Sequence, residues 1–127
     1  ARTVRSVPGI GLLSTAALVN LFERLPKAGS DALVAFSGLD PRPKDSGKKR
    51  GVRCLSKRGP AELRRLLFNA AMSAARTKVW RPYYDRDLAK GLSRIAALVC
   101  LARRLLRTAF AVYRTNTRFD PLKAKIA

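Results

Sequence analysis

An all-α, compact helical domain containing one long basic loop is the architecture expected of this 127-residue chain, on three grounds. Apolar residues recur at helical spacing in three stretches. No stretch shows the period-two alternation of a strand, and no internal repeat appears. The composition is 47% hydrophobic, which supplies one small core and excludes a disordered basic tail.

The elements follow in order. Leu18, Leu21, Phe22 and Leu25 predict a helix over 12–25, punctuated by Pro26 and Gly29. Ser30 as a cap and Asp31 as a first-turn acid open a short helix through Phe36, ended by Gly38 and Pro41. From Pro41 to Pro60 the apolar pattern disappears, and Arg42 to Arg58 carries eight basic residues against one acid, Asp45. Residues 42–59 therefore read as an irregular basic loop. Pro60 is placed for a first helical position, after which Leu63, Leu66, Leu67, Ala70, Ala71, Ala74 and Ala75 form one stripe. Its alanines permit close approach of a neighbouring helix. Trp80 to Leu88, after a break at Pro82, predicts another short helix. Last, Ile95, Leu98, Val99, Ala102, Leu105, Leu106, Ala109, Phe110 and Tyr113 define a helix over about 92–114, flanked by Arg94, Arg103, Arg107 and Arg114. The helical core is expected over 60–115.

Charge bounds the function. Lys and Arg total 27 against 8 Asp and Glu, with no His, for a net charge of +19. Such an excess on a folded domain points to a polyanion, since each cation placed on a phosphate releases condensed counterions. Eighteen of the cations are Arg, whose guanidinium forks phosphate and stacks on bases, which favours nucleic acid over an anionic membrane. Lack of His removes Ser/His and Cys/His nucleophile pairs and His-containing zinc sites. The acids Glu23, Asp31, Asp40, Asp45, Glu62, Asp85, Asp87 and Asp120 are dispersed, so no metal site is expected in this chain. Cys100 reads as core, and Cys54, though set among cations, also reads as structural, since neither has a second Cys nearby at metal-ligand spacing. The longest apolar run, Ile95 to Ala102, is far short of the roughly 20 residues that span a bilayer. With no signal-peptide pattern at the start, a cytoplasmic, nucleoid-associated location and no membrane partner are expected.

Two motifs carry chemistry. Val4-x-x-Val7-Pro8-Gly9-Ile10-Gly11, with a helix following, resembles the helix-hairpin-helix DNA-binding element over residues 1–25. Gly9 and Gly11 allow a tight hairpin whose N–H groups face a phosphate, Ile10 anchors it inward, and the next helix adds its positive end. The second is Ser46, on a Ser-Gly turn within Lys44-Asp45-Ser46-Gly47-Lys48-Lys49-Arg50. By themselves these residues fit a turn, or a segment wrapped on a phosphate backbone. Chemistry is also open to them, because a hydroxyl can attack phosphorus when neighbouring cations stabilise the developing charge, but the spacing by itself favours the turn. The candidate DNA contacts are Gly9, Ile10, Gly11, Lys48, Lys49, Arg50, Arg53, Lys57, Arg58, Arg64 and Arg65.

Further blocks then fall in order. Ala35-Phe36-x-Gly38-Leu39-x-Pro41-Arg42, Ser46-Gly47 and Ser56-Lys57-x-Gly59 are followed by Leu63-Arg64-Arg65-x-Leu67, Ala70-Ala71, Arg103-Arg104-Leu105-Leu106 and Phe119-Asp120. Over nearly the whole chain this resembles the C-terminal serine domain of insertion-sequence transposases with an N-terminal DEDD, RuvC-like domain, the bridge-RNA-guided serine recombinases. The resemblance implies that Ser46 is the recombination nucleophile, linking covalently to DNA. It also implies that Mg²⁺ is held by carboxylates of the RuvC-like domain, that a guide RNA is a partner, and that the full-length protein is a homo-oligomer. The chain departs from the family where Leu92, not Lys, follows Gly91. The missing initiator Met and the short stretch before Pro8 lead us to expect a piece of a longer protein, inactive in isolation. Two other classes fit the charge and the hairpin: a non-catalytic basic RNA binder of ribosomal type, and a DNA-binding adaptor derived from a transposase.

Overall fold

The computed structural model describes residues 2–39, 41–43, 53–55 and 61–120, the two short middle segments by their backbone. In order these form α1 (Arg2–Arg5), α2 (Leu12–Arg24), α3 (Ser30–Ser37), β1 (Pro41–Pro43), β2 (Arg53–Leu55), α4 (Ala61–Ala74), α5 (Arg81–Ala89) and α6 (Arg94–Thr115). The all-α architecture expected from the periodicity is the one observed. α6 is its axis, packing against each of the other five helices.

One buried cluster holds the elements together. It takes Val4 and Val7 from the N-terminal turn, Leu18 and Phe22 from α2, Leu33 and Val34 from α3, Leu67 and Ala71 from α4, and Leu105 and Leu106 from α6. The core is thus not confined to 60–115. Burying an aliphatic side chain of this size stabilises by about 1.5–3 kcal/mol, and the first third of the chain contributes as fully as the last. Phe22 links the two ends, with its ring 5.5 Å from Phe110 and 5.0 Å from Tyr113 between centroids. Alanines line the buried faces of both α4 (Ala70, Ala71, Ala74) and α6 (Ala97, Ala102, Ala109), which lets those two helices pack closely.

The helix ends correct several expectations. Ser30 is the first residue of α3 and does not cap it; Gly29 is the N-cap, and Asp31 keeps its place in the first turn. α3 stops at Gly38, whose φ of +80° is a left-handed conformation open to glycine at little cost. Pro82 does not break a helix. It sits in the first turn of α5, where its missing N–H would have no partner in any case. α6 starts at Arg94, with the Ser93 hydroxyl accepting from the Ala96 N–H at 3.1 Å. Ile95, expected on the apolar stripe, is 67% exposed because it lies in the first turn, beyond the end of the packed face. Leu66, Ala75 and Cys100 are half-buried, so Cys100 is not a core thiol.

The basic loop is not irregular throughout. β1 and β2 pair antiparallel in the register Pro41 to Leu55, Arg42 to Cys54 and Pro43 to Arg53, forming a two-stranded ribbon. Three residues per strand are too few for alternation to show in a sequence. Both prolines are tolerated because a two-stranded ribbon consists only of edges.

Candidate nucleic-acid interface

The segment expected to form a hairpin begins with a single turn of helix. α1 spans four residues, and Val4, Val7 and Ile10 are all buried, so Ile10 does anchor the turn inward. The Ser6 hydroxyl accepts from the Phe119 N–H at 2.8 Å, tying this turn to the segment after α6.

Gly9 and Gly11 do different work. Gly9 has φ +94°, and a Cβ built on it would lie 2.5 Å from the Cβ of Ala74 and 2.8 Å from its Cα. Its backbone is pressed onto the end of α4. Close approach is therefore made to a helix of the same chain, the alanine stripe serving the hairpin as well as α6. Gly11 is exposed, with extended backbone and nothing within 4 Å of a Cβ built there. It is the N-cap of α2, its carbonyl accepting from both the Thr15 N–H at 2.9 Å and the Thr15 hydroxyl at 2.8 Å. Leu12 and Leu13, next in the chain, are 65% and 73% exposed. The side of the turn facing outward is thus the start of α2, where helical N–H groups lack intrahelical acceptors.

Trp80, the N-cap of α5, fixes this turn. Its indole is fully buried and the Nε1–H donates to the Pro8 carbonyl at 2.9 Å. A lone Trp next to a turn gives no pattern from which such a partner could be read.

Arg64 and Arg65 stand on the first half of α4. Ten residues separate Arg64 from Ala74, which at the helical rise is about 15 Å along the axis, so these cations and the hairpin do not meet in one spot. Arg65 forks the carboxylate of Glu62 and holds that carboxyl below its ordinary pKa, chiefly through the side-chain hydrogen bond. Part of its charge is thereby balanced within the helix. Arg53 lies in β2. Ser46, Lys48, Lys49, Arg50, Lys57 and Arg58 lie outside the described residues.

Arg103 joins this region to the core. Its Nη1 donates to the carbonyl of Leu39 at 3.0 Å, and Leu39, itself buried, is the last described residue before β1. The base of the ribbon is therefore fastened to α6. Among the described residues no three Cys, Asp or Glu side chains come together. Among the described residues Glu62 pairs with Arg65, Asp85 with Arg81 and Asp31 with Arg107. No helix among these residues is long and apolar enough to cross a membrane.

Residues 1–85, more than half of the chain, match the family model described as "Transposase IS116/IS110/IS902 family". The chain is 31% identical over 124 residues to the "Insertion element IS900 uncharacterized 42 kDa protein" of Mycobacterium paratuberculosis, covering 95% of this chain and 31% of that protein. It is 30% identical over 117 residues to the "Insertion element IS110 uncharacterized 43.6 kDa protein" of Streptomyces coelicolor, covering 91% and 29%. It is 33% identical over 124 residues to the "Insertion element IS116 uncharacterized 44.8 kDa protein" of Streptomyces clavuligerus, covering 95% and 31%. The chain spans less than a third of the length of these curated relatives.

Proposed function

Since this chain belongs to the IS116/IS110/IS902 transposase family, we propose that it is the DNA-binding, serine-bearing part of a longer insertion-sequence transposase, with Ser46 as nucleophile. The observation that carries this is the family match itself, which runs through the hairpin, the ribbon and α4. The net charge of +19 supports DNA as the substrate.

The chemistry balances without a redox partner. The seryl oxygen of Ser46 forms a bond to phosphorus while the bond from phosphorus to one deoxyribose oxygen breaks. The net proton transfer is from the seryl hydroxyl to that leaving oxygen. A phosphodiester is exchanged for a phosphodiester, so a deoxyribose hydroxyl on another strand can reverse the step and complete recombination. Lys48, Lys49 and Arg50 supply the positive potential that stabilises charge building on the phosphoryl oxygens, a role open to cations in a chain without His.

Gly11 and the start of α2 are proposed to receive a backbone phosphate, with Gly9 and Ile10 holding the turn in shape. Arg53, Lys57, Arg58, Arg64 and Arg65 extend the electrostatic footprint. The described carboxylates do not fit a Mg²⁺ site, since no three of them converge and Glu62, Asp85 and Asp31 each pair with an arginine. Mg²⁺, a RuvC-like domain, a guide RNA and assembly into an oligomer belong to the longer protein in this reading. A strand-exchange assay of that longer protein tests it. Ser46→Ala should abolish exchange while DNA binding stays near normal, and exchange at the normal rate would overturn the assignment.

A further inference from the structure

Between α5 and α6 lies a cleft of about 320 Å³, walled by Arg86, Arg103, Arg104 and Arg107 with Tyr83 at its side and Asp87 as its one acidic lining residue. Sequence reasoning placed Arg103 and Arg107 beside an apolar stripe and Arg104 in a block shared with the transposases, and gave no binding role to Arg86 or Arg104. Spacing of three and four residues puts 103, 104 and 107 on neighbouring rows of α6, and α5 brings Arg86 across to them.

The four guanidiniums are not alike. Arg107 donates to Asp31 at 2.6 Å and to the Ser30 hydroxyl at 3.0 Å, which balances its charge. Arg103 is held by the Leu39 carbonyl and, at 3.1 Å, by the Cys100 sulfur. Arg86 and Arg104 instead approach the half-buried Tyr83 ring, their central carbons 5.4 and 4.4 Å from its centroid. A ring beside a guanidinium restrains its plane but takes none of its N–H groups, which leaves the fork open for a planar or tetrahedral oxyanion. Among the described residues no carboxylate or carbonyl engages either fork. Asp87 balances one charge at most. The cleft keeps an excess of positive charge that nothing in the described chain neutralises.

We propose that this cleft holds one backbone phosphate of duplex DNA, gripped by Arg86 and Arg104. The proposal rests on the transposase reading above and adds a second anchoring point to it. Arg103 gives the position its meaning, because one guanidinium both walls the cleft and fastens the base of the ribbon through Leu39. A phosphate seated here fixes the duplex against the part of α6 that holds the Leu39 carbonyl. Contacts of this kind set register and carry no sequence information.

The test is a salt titration of binding by the 127-residue chain to a short labelled DNA duplex. Arg86→Gln with Arg104→Gln should weaken binding about tenfold and lower the slope of log K against log salt by about 1, the value for one lost phosphate contact. Arg86→Lys with Arg104→Lys should restore most of the slope, since charge is kept where stacking geometry is not. Arg24→Gln with Lys27→Gln removes the same charge elsewhere and should change the slope by much less. An unchanged slope in the cleft variant, an equal change in the Arg24/Lys27 control, or a loss confined to duplex RNA would each overturn the cleft. Should the double variant fail to fold, exposed Arg86→Gln alone must still lower the slope. Failure of the unaltered chain to bind any duplex would instead overturn the reading on which the cleft rests.

Discussion

The indole N–H of Trp80 reaches across 72 residues of sequence to the carbonyl of Pro8 at 2.9 Å. Trp80 is fully buried, with its ring 5.5 Å from Tyr83 and 5.6 Å from Phe119. One side chain thereby joins the N-terminal turn, the start of α5 and the segment after α6. The proposed phosphate-facing edge of the hairpin owes its orientation to this contact.

Trp80→Phe should therefore cost about 2–4 kcal/mol, combining the unpaired Pro8 carbonyl with the space left by the smaller ring. Thermal unfolding followed by circular dichroism measures it. In the unaltered protein Trp80 is the single tryptophan, so its emission reports the same junction. A Tm unchanged by the substitution would mean that the turn is held by other contacts.

The two hairpin glycines should separate cleanly. Gly9→Ala meets a left-handed backbone worth about 1–2 kcal/mol and an overpacked contact with Ala74 worth about 1–3 kcal/mol. The expected result is a Tm lowered by on the order of 10 °C. Gly11→Ala faces open space and should cost under about 1 kcal/mol. With the proposed phosphate beside it, the same change should still weaken duplex binding. Equal stability losses at the two sites would refute the packing difference.

Arg103→Met keeps much of the side-chain volume but leaves the buried Leu39 carbonyl unpaired, at a cost of about 1–3 kcal/mol. Amide hydrogen exchange should quicken at those N–H groups of Arg42 and of β2 that bond across the ribbon. Unchanged protection there would show that the ribbon does not depend on its tie to α6.

Binding to duplex DNA should fall steeply with salt and show little preference among sequences. Replacing Lys48, Lys49 and Arg50 together by Gln should lower the log–log slope by about 2–3 if each cation meets one phosphate. Strong preference for one short sequence would point to base contacts.

How far the sequence revealed the molecule depends on the interaction concerned. α2, α4 and α6 were readable because stripes such as Leu63, Leu67, Ala70 and Ala74 repeat at the helical period and bury the same face. Ile10 as an inward anchor was readable for a similar reason, being the apolar residue inside a Pro-Gly-x-Gly turn. Contacts between distant positions left no such trace. Gly9 looks identical whether it faces a phosphate or Ala74, and only the packed structure shows the latter. The pairing of Arg42 with Cys54 is hidden because three-residue strands are too short for their alternation to repeat. The clustering of Arg86 with Arg104 required knowing that α5 folds back onto α6. The assignment of Ser46 came from the order of motifs along the chain, and Ser46 lies outside the described residues.

The most direct measurement is to trap the full-length protein on a DNA substrate that blocks completion of exchange, digest the adduct and locate the nucleotide-bearing residue by mass spectrometry. The nucleophile assignment predicts a phosphoserine link at Ser46, absent from the Ser46→Ala protein. A link at another residue such as Ser56, or an adduct that persists in Ser46→Ala, would contradict it.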